Sequence, residues 1–137
     1  MAKVRWLDRR IAAPGPHLAL VLSETEFKAA MKHLKVEGAS HWLNSGADAT
    51  THCFVSEGKR CCVVSLGDTS QRNGVEIAGL LVHEAVHVWQ HYCAMIGETN
   101  PGFEQEAYGI QAIAQELLAE YARRIETGCL PPKSAPN

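Results

Sequence analysis

The polar and apolar positions of this chain separate into short apolar runs in its first half and two long helical stripes in its second. The run at 17–22 is apolar almost throughout, follows Pro14-Gly15-Pro16 and precedes a helix signal, which predicts a buried strand. Ser23-Glu24-Thr25-Glu26 has the form of a capping box, and Phe27, Ala30, Met31 and Leu34 follow at helical spacing until Gly38. Residues 39–50 read as a loop anchored by Trp42 and Leu43. Segments 50–56 and 60–66 are rich in Thr, Val, Phe and Cys, and the Glu57-Gly58-Lys59 link is of hairpin length, so an antiparallel pair is expected.

Further along, Asn73 with Glu76 three residues on marks a helix start, and 75–95 has the length of a central helix. Its apolar residues run almost all the way round, so it should be buried on most sides, and each polar residue on it calls for a reason. Gly97 closes it, and Asn100-Pro101 opens the next. Phe103, Ala107, Ile110, Ala114, Leu117, Leu118, Tyr121 and Ile125 then form one apolar stripe that ends at Thr127-Gly128. The expected fold is α+β, with a small, mostly antiparallel sheet of about three strands, an N-terminal helix, a central helix and a long C-terminal helix. Residues 1–129 form one domain in this reading, and 130–137, with three of the six prolines, a flexible tail.

Composition narrows the function. The 137 residues carry 13 Lys+Arg against 15 Asp+Glu and no long basic run, which argues against a nucleic-acid partner. Basic residues gather at Lys3, Arg5, Arg9 and Arg10, where a solvated N-terminal segment is expected. The first ten residues hold five charges and no secretory apolar run, and the region 75–89 is interrupted by Glu76, His83, Glu84 and His87, too polar for a membrane span. A soluble cytoplasmic protein without a membrane partner is the expectation. The five cysteines, Cys53, Cys61, Cys62, Cys93 and Cys129, include no CxxC pair, so buried thiols are expected rather than a disulfide framework or thiolate zinc site.

The chemistry concentrates in His83-Glu84-Ala85-Val86-His87 on the central helix, an HExxH pattern. At about 100° and 1.5 Å per residue, positions i and i+4 share a face one turn apart, so both imidazoles can converge on one ion. Glu84 is turned about 100° from His83, placed to accept a proton from a water on that ion without ligating it. One zinc ion per chain is the expected cofactor, and zinc wants a third protein ligand. His91, Glu104 and Glu106 are candidates. His91 lies about 12 Å of rise from His83, too far to share the ion with both histidines. On the C-terminal helix, taking Phe103 as the middle of the apolar stripe, Glu106 falls roughly 60° from the centre and Glu104 roughly 100° away on the other side. Glu106 is therefore favoured, with Glu104 the alternative.

With these residues the chain resembles the zincin metallopeptidases, and within them the gluzincin branch, where HExxH is followed by a glutamate on the next helix. The string from His83 to Gln90, followed by Glu104-Gln105-Glu106-Ala107-Tyr108-Gly109-Ile110-Gln111, is also similar to small metallopeptidases of phages and prophages. The resemblance covers residues 83–111. It implies a minimal zincin core in which an edge strand borders the cleft, His83, His87 and Glu106 hold zinc, and Glu84 activates water to attack a peptide or protein substrate. The family's Glu-x-x-Ala-Asp pattern can also be laid on Glu104, and no Asp follows either glutamate four residues on, so the carboxylate that orients a ligand histidine there must come from elsewhere in this chain or be replaced by Tyr108 or Gln111. An oxyanion donor, commonly Tyr or His in that family, would come from Tyr108, Tyr92, His91 or His52. The alternative function is a phage-type structural or assembly protein that keeps the fold and zinc with little or no catalysis.

Overall fold

The computed structural model describes residues 3–7, 15–38 and 41–128. Arg9, Arg10, Cys129 and the tail expected at 130–137 lie outside the described residues. The elements are β1 (Trp6–Leu7), β2 (His17–Val21), α1 (Glu24–His33), β3 (Ala49–Ser56), β4 (Lys59–Leu66), α2 (Gly74–Ile96) and α3 (Phe103–Glu126). The class is α+β, with three helices and a four-stranded mixed sheet in the order β1-β2-β4-β3. β1 and β2 pair antiparallel, β2 and β4 parallel, and β3 and β4 antiparallel.

The two-residue strand β1 falls in the basic segment read as solvated. Trp6 and Leu7 pair with Ala19 and Leu18, and Arg5 beside them reaches the buried carboxylate of Glu120 on α3 at 2.9 Å. A pairing this short leaves no apolar period in the sequence to announce it.

Alternation along the strands sorts the core into two layers. Leu18, Leu20, Cys62, Val64 and Leu66 face α2 and α3 together with Leu81, Ala85, Val88, Trp89, Ile113 and Leu117. Val21, Cys61 and Val63 face the opposite way, onto Phe27, Ala30, Met31 and Leu34 around α1. The sheet thus lies between α1 and the α2–α3 pair, with α2 over β3 and β4 and α3 over β1 and β2.

The helix ends follow their capping chemistry. Ser23 Oγ accepts from Glu26 N at 3.2 Å and Asn73 Oδ1 from Glu76 N at 2.9 Å, while Gly97 leaves α2 at φ 73°. α3 begins two residues beyond the expected Asn100-Pro101 start, with Gly102 as an N-cap that makes no side-chain bond. Its inward stripe keeps Ala114, Leu117 and Tyr121 of the expected one but is completed by Gly109, Ile113 and Glu120, while Phe103 is 92% exposed. The hairpin closes in two residues, Glu57 and Gly58, both at positive φ (51° and 75°), which is a type I′ turn.

Candidate metal centre

Along β3, Ala49, Thr51 and Cys53 point towards α2, and Thr51 sits opposite Glu84. Its hydroxyl donates to Glu84 Oε2 at 2.6 Å. Glu84 is only 4% exposed. A buried carboxylate without donors would be costly, so this bond is what permits an acid at a core-facing position of a helix otherwise filled by Leu81, Ala85 and Val88.

His83 and His87 lie on the neighbouring face of α2 and reach solvent. Their Nε2 atoms are 3.1 Å apart, and one carboxylate oxygen of Glu84 completes a group whose ligand atoms all lie within 4.8 Å of one another. Two nitrogens on a tetrahedral ion, each about 2.0–2.1 Å from it, are separated by about 3.3 Å. The donor set and its spacing therefore fit a divalent ion with imidazole preference, with little movement of either ring.

Gln90, one turn beyond His87, places Oε1 2.9 Å from His87 Nδ1. With the amide oxygen as acceptor, the ring proton sits on Nδ1 and the lone pair on Nε2, facing His83. Neither Thr51 nor Gln90 stands out in the sequence as a site residue. Gln90 lies at i+3 from His87 and is reachable by helical spacing alone, whereas Thr51 is reachable only through the register of β3 against α2.

Of the residues expected to form the site, His83, Glu84 and His87 come together and Glu106 stands apart. Glu106 does turn towards α2, but its Oε2 accepts from Trp89 Nε1 at 3.2 Å. Trp89 leaves α2 about 160° around the helix from His87. Burial, followed by the charges of Glu106 and Glu98, pushes the Cys93 thiol above its usual range, which also sets Glu106 on that side of α2. Gly109 packs directly on the six-membered ring of Trp89, which sets this turn of α3 level with Trp89 rather than with the histidines. Glu104 is exposed.

The suggested oxyanion donors scatter. His52 lies on the other face of the sheet, its Nε2 2.9 Å from Trp42 O and its ring against Phe27. Tyr92 is buried beside Trp89, and Tyr108 is 66% exposed. His91 lines a cavity of about 190 Å3 with Cys53, Cys62 and Met95. Among the described residues no helix is long and apolar enough to cross a membrane. Comparison of the chain with models of known families, with characterised proteins and with solved structures returns no match, so the reading of this site stands on its own geometry.

Proposed function

We propose that this chain is a zinc-dependent peptidase of the gluzincin-like kind, with His83 and His87 as metal ligands and Glu84 as the general base. The observation that carries the reading is the buried Glu84 carboxylate, oriented by Thr51 and held within 4.8 Å of the ring nitrogens of both histidines. Bound zinc would supply Lewis acidity that brings the pKa of a water ligand to about 7. Glu84 then takes the proton of the attacking water and passes it to the leaving amine, while Thr51 keeps the carboxylate aimed. Glu106 is the proposed third ligand, and because it meets Trp89 about 160° around α2 from His87, taking that role requires α3 to shift around α2 as well as release of the indole. β3, at the edge of the sheet beside this group, offers an extended peptide a strand to lie along.

A second reading, an assembly or structural protein stabilised by metal, draws on the engagement of Glu106 with Trp89, which among the described residues leaves the histidine pair with no carboxylate but Glu84. One experiment separates them: zinc content and casein hydrolysis of wild type beside Glu84→Gln, whose amide oxygen can still accept from Thr51. The peptidase reading expects one zinc in both and cleavage by wild type alone. Zinc in both without cleavage by either favours the assembly protein, and retained cleavage by Glu84→Gln rejects the mechanism. His83→Ala or His87→Ala is expected to abolish stoichiometric zinc. Glu106→Ala is expected to weaken zinc binding and Glu104→Ala to leave it unchanged.

A further inference from the structure

Two cysteines lie outside the metal group and face one another across the hairpin. Cys53 on β3 is the register partner of Cys62 on β4. In a two-residue type I′ hairpin the pair flanking the turn, here Ser56 and Lys59, exchanges backbone hydrogen bonds, and hydrogen-bonded and non-hydrogen-bonded pairs alternate from there. Counting back, Val55 with Arg60 is non-hydrogen-bonded, Phe54 with Cys61 hydrogen-bonded, and Cys53 with Cys62 non-hydrogen-bonded. In that class of pair the Cα atoms stand about 4.5 Å apart, within the range a disulfide spans. The side chains share the α2 face and are in hydrogen-bond contact.

We propose that Cys53 and Cys62 form a reversible oxidation site, closing to a cross-strand disulfide on exchange with a low-molecular-weight disulfide. The two thiols have different parts in that chemistry. Cys62 is 2% exposed, and its contact with Cys53 together with burial pushes its thiol far above the usual range. Cys53 is half-buried and lines the 190 Å3 cavity through which a small disulfide can approach. The Cys53 thiolate attacks one sulfur of the incoming disulfide, forming a mixed disulfide and expelling one thiolate. Cys62 then loses its proton to solvent and attacks Cys53 Sγ, which breaks the mixed bond and expels the second thiolate. The protein gives up two electrons and two protons, and the small disulfide becomes two thiols. Cys61 is excluded as the partner because its side chain lies on the α1 face of the sheet. The new bond would tie the edge strand to its neighbour two residues from Thr51.

The test uses the full chain equilibrated in glutathione buffers of graded ratio, quenched by alkylation under denaturing conditions and mapped by mass spectrometry after digestion. The expected result is the coupled loss of two thiols per chain, a Cys53–Cys62 crosslink located by peptide fragmentation, full reversal by dithiothreitol, and an apparent melting temperature several degrees higher for the oxidised form. Cys62→Ala is expected to stop at a glutathione adduct on Cys53, whereas Cys61→Ala still crosslinks. A wild type that keeps a stable glutathione adduct on Cys53, that crosslinks through Cys61 or Cys93, or that loses no thiol in the most oxidising buffer would overturn the proposal. All three outcomes are read on wild type, so they stand even if a variant fails to fold.

Discussion

Thr51 is an ordinary strand threonine until its hydroxyl is seen to be the donor to a buried acid. Removing that hydroxyl while keeping the shape, as in Thr51→Val, is expected to lower the unfolding free energy by about 1–3 kcal/mol, because Glu84 stays buried with its donor gone. Urea titration measures this, and Thr51→Ser should recover most of the loss. If the peptidase reading holds, Thr51→Val lowers the rate of hydrolysis at unchanged zinc content. Gln90→Ala acts on the other half of the group: if the proposed zinc site holds, releasing His87 Nδ1 weakens zinc binding roughly 10–100-fold, read by competition with a chromophoric chelator. His83, Glu84 and His87 were legible in the sequence because their meeting needs only the helical period. Thr51 was not, since it lies 33 residues from Glu84 and joins it only through strand register. The neighbours of Glu106 depend on the rotation and slide of α3, and taking the exposed Phe103 as its inward reference misjudged the rotation.

At the scale of elements, α2 and α3 meet in close contact at Gly109. A Cβ there would overlap Trp89 Cζ3, and the obstacle is a buried ring rather than the free end of a flexible chain. Gly109→Ala is therefore expected to force the helices apart and to destabilise the protein by about 1–3 kcal/mol or more, measured as a fall in melting temperature. Because the same ring donates to Glu106, the variant should also disturb that bond, which the indole fluorescence of Trp89 would report. Helix ends set by local chemistry, at Ser23, Asn73 and Gly97, could be read from sequence. The start of α3 could not, because Gly102 makes no side-chain cap to mark it.

For the molecule as a whole, the α+β class and the three principal strands follow from patterning, while the order of strands does not. The parallel union of β2 with β4 places His17 against Cys61, 44 positions apart, with α1 and β3 between them. By contrast Thr51, Glu84, His83, His87, Gln90, Cys53 and Cys62 all fall within the continuous stretch from β3 through α2, residues 49–96. Contacts local in sequence close loops at smaller entropic cost and tend to form earlier than distant ones. Refolding is thus expected to assemble the hairpin and α2 first and to insert β2 late. In stopped-flow experiments Gly58→Ala, which strains the turn at φ 75°, should mainly slow folding, and Leu20→Ala on β2 should mainly speed unfolding. The opposite partition would reject this order. On this order the histidine pair and its carboxylate take shape in a half-built sheet, so if they are the zinc ligands proposed above, zinc present during refolding would meet them before the domain is complete and hasten the rest.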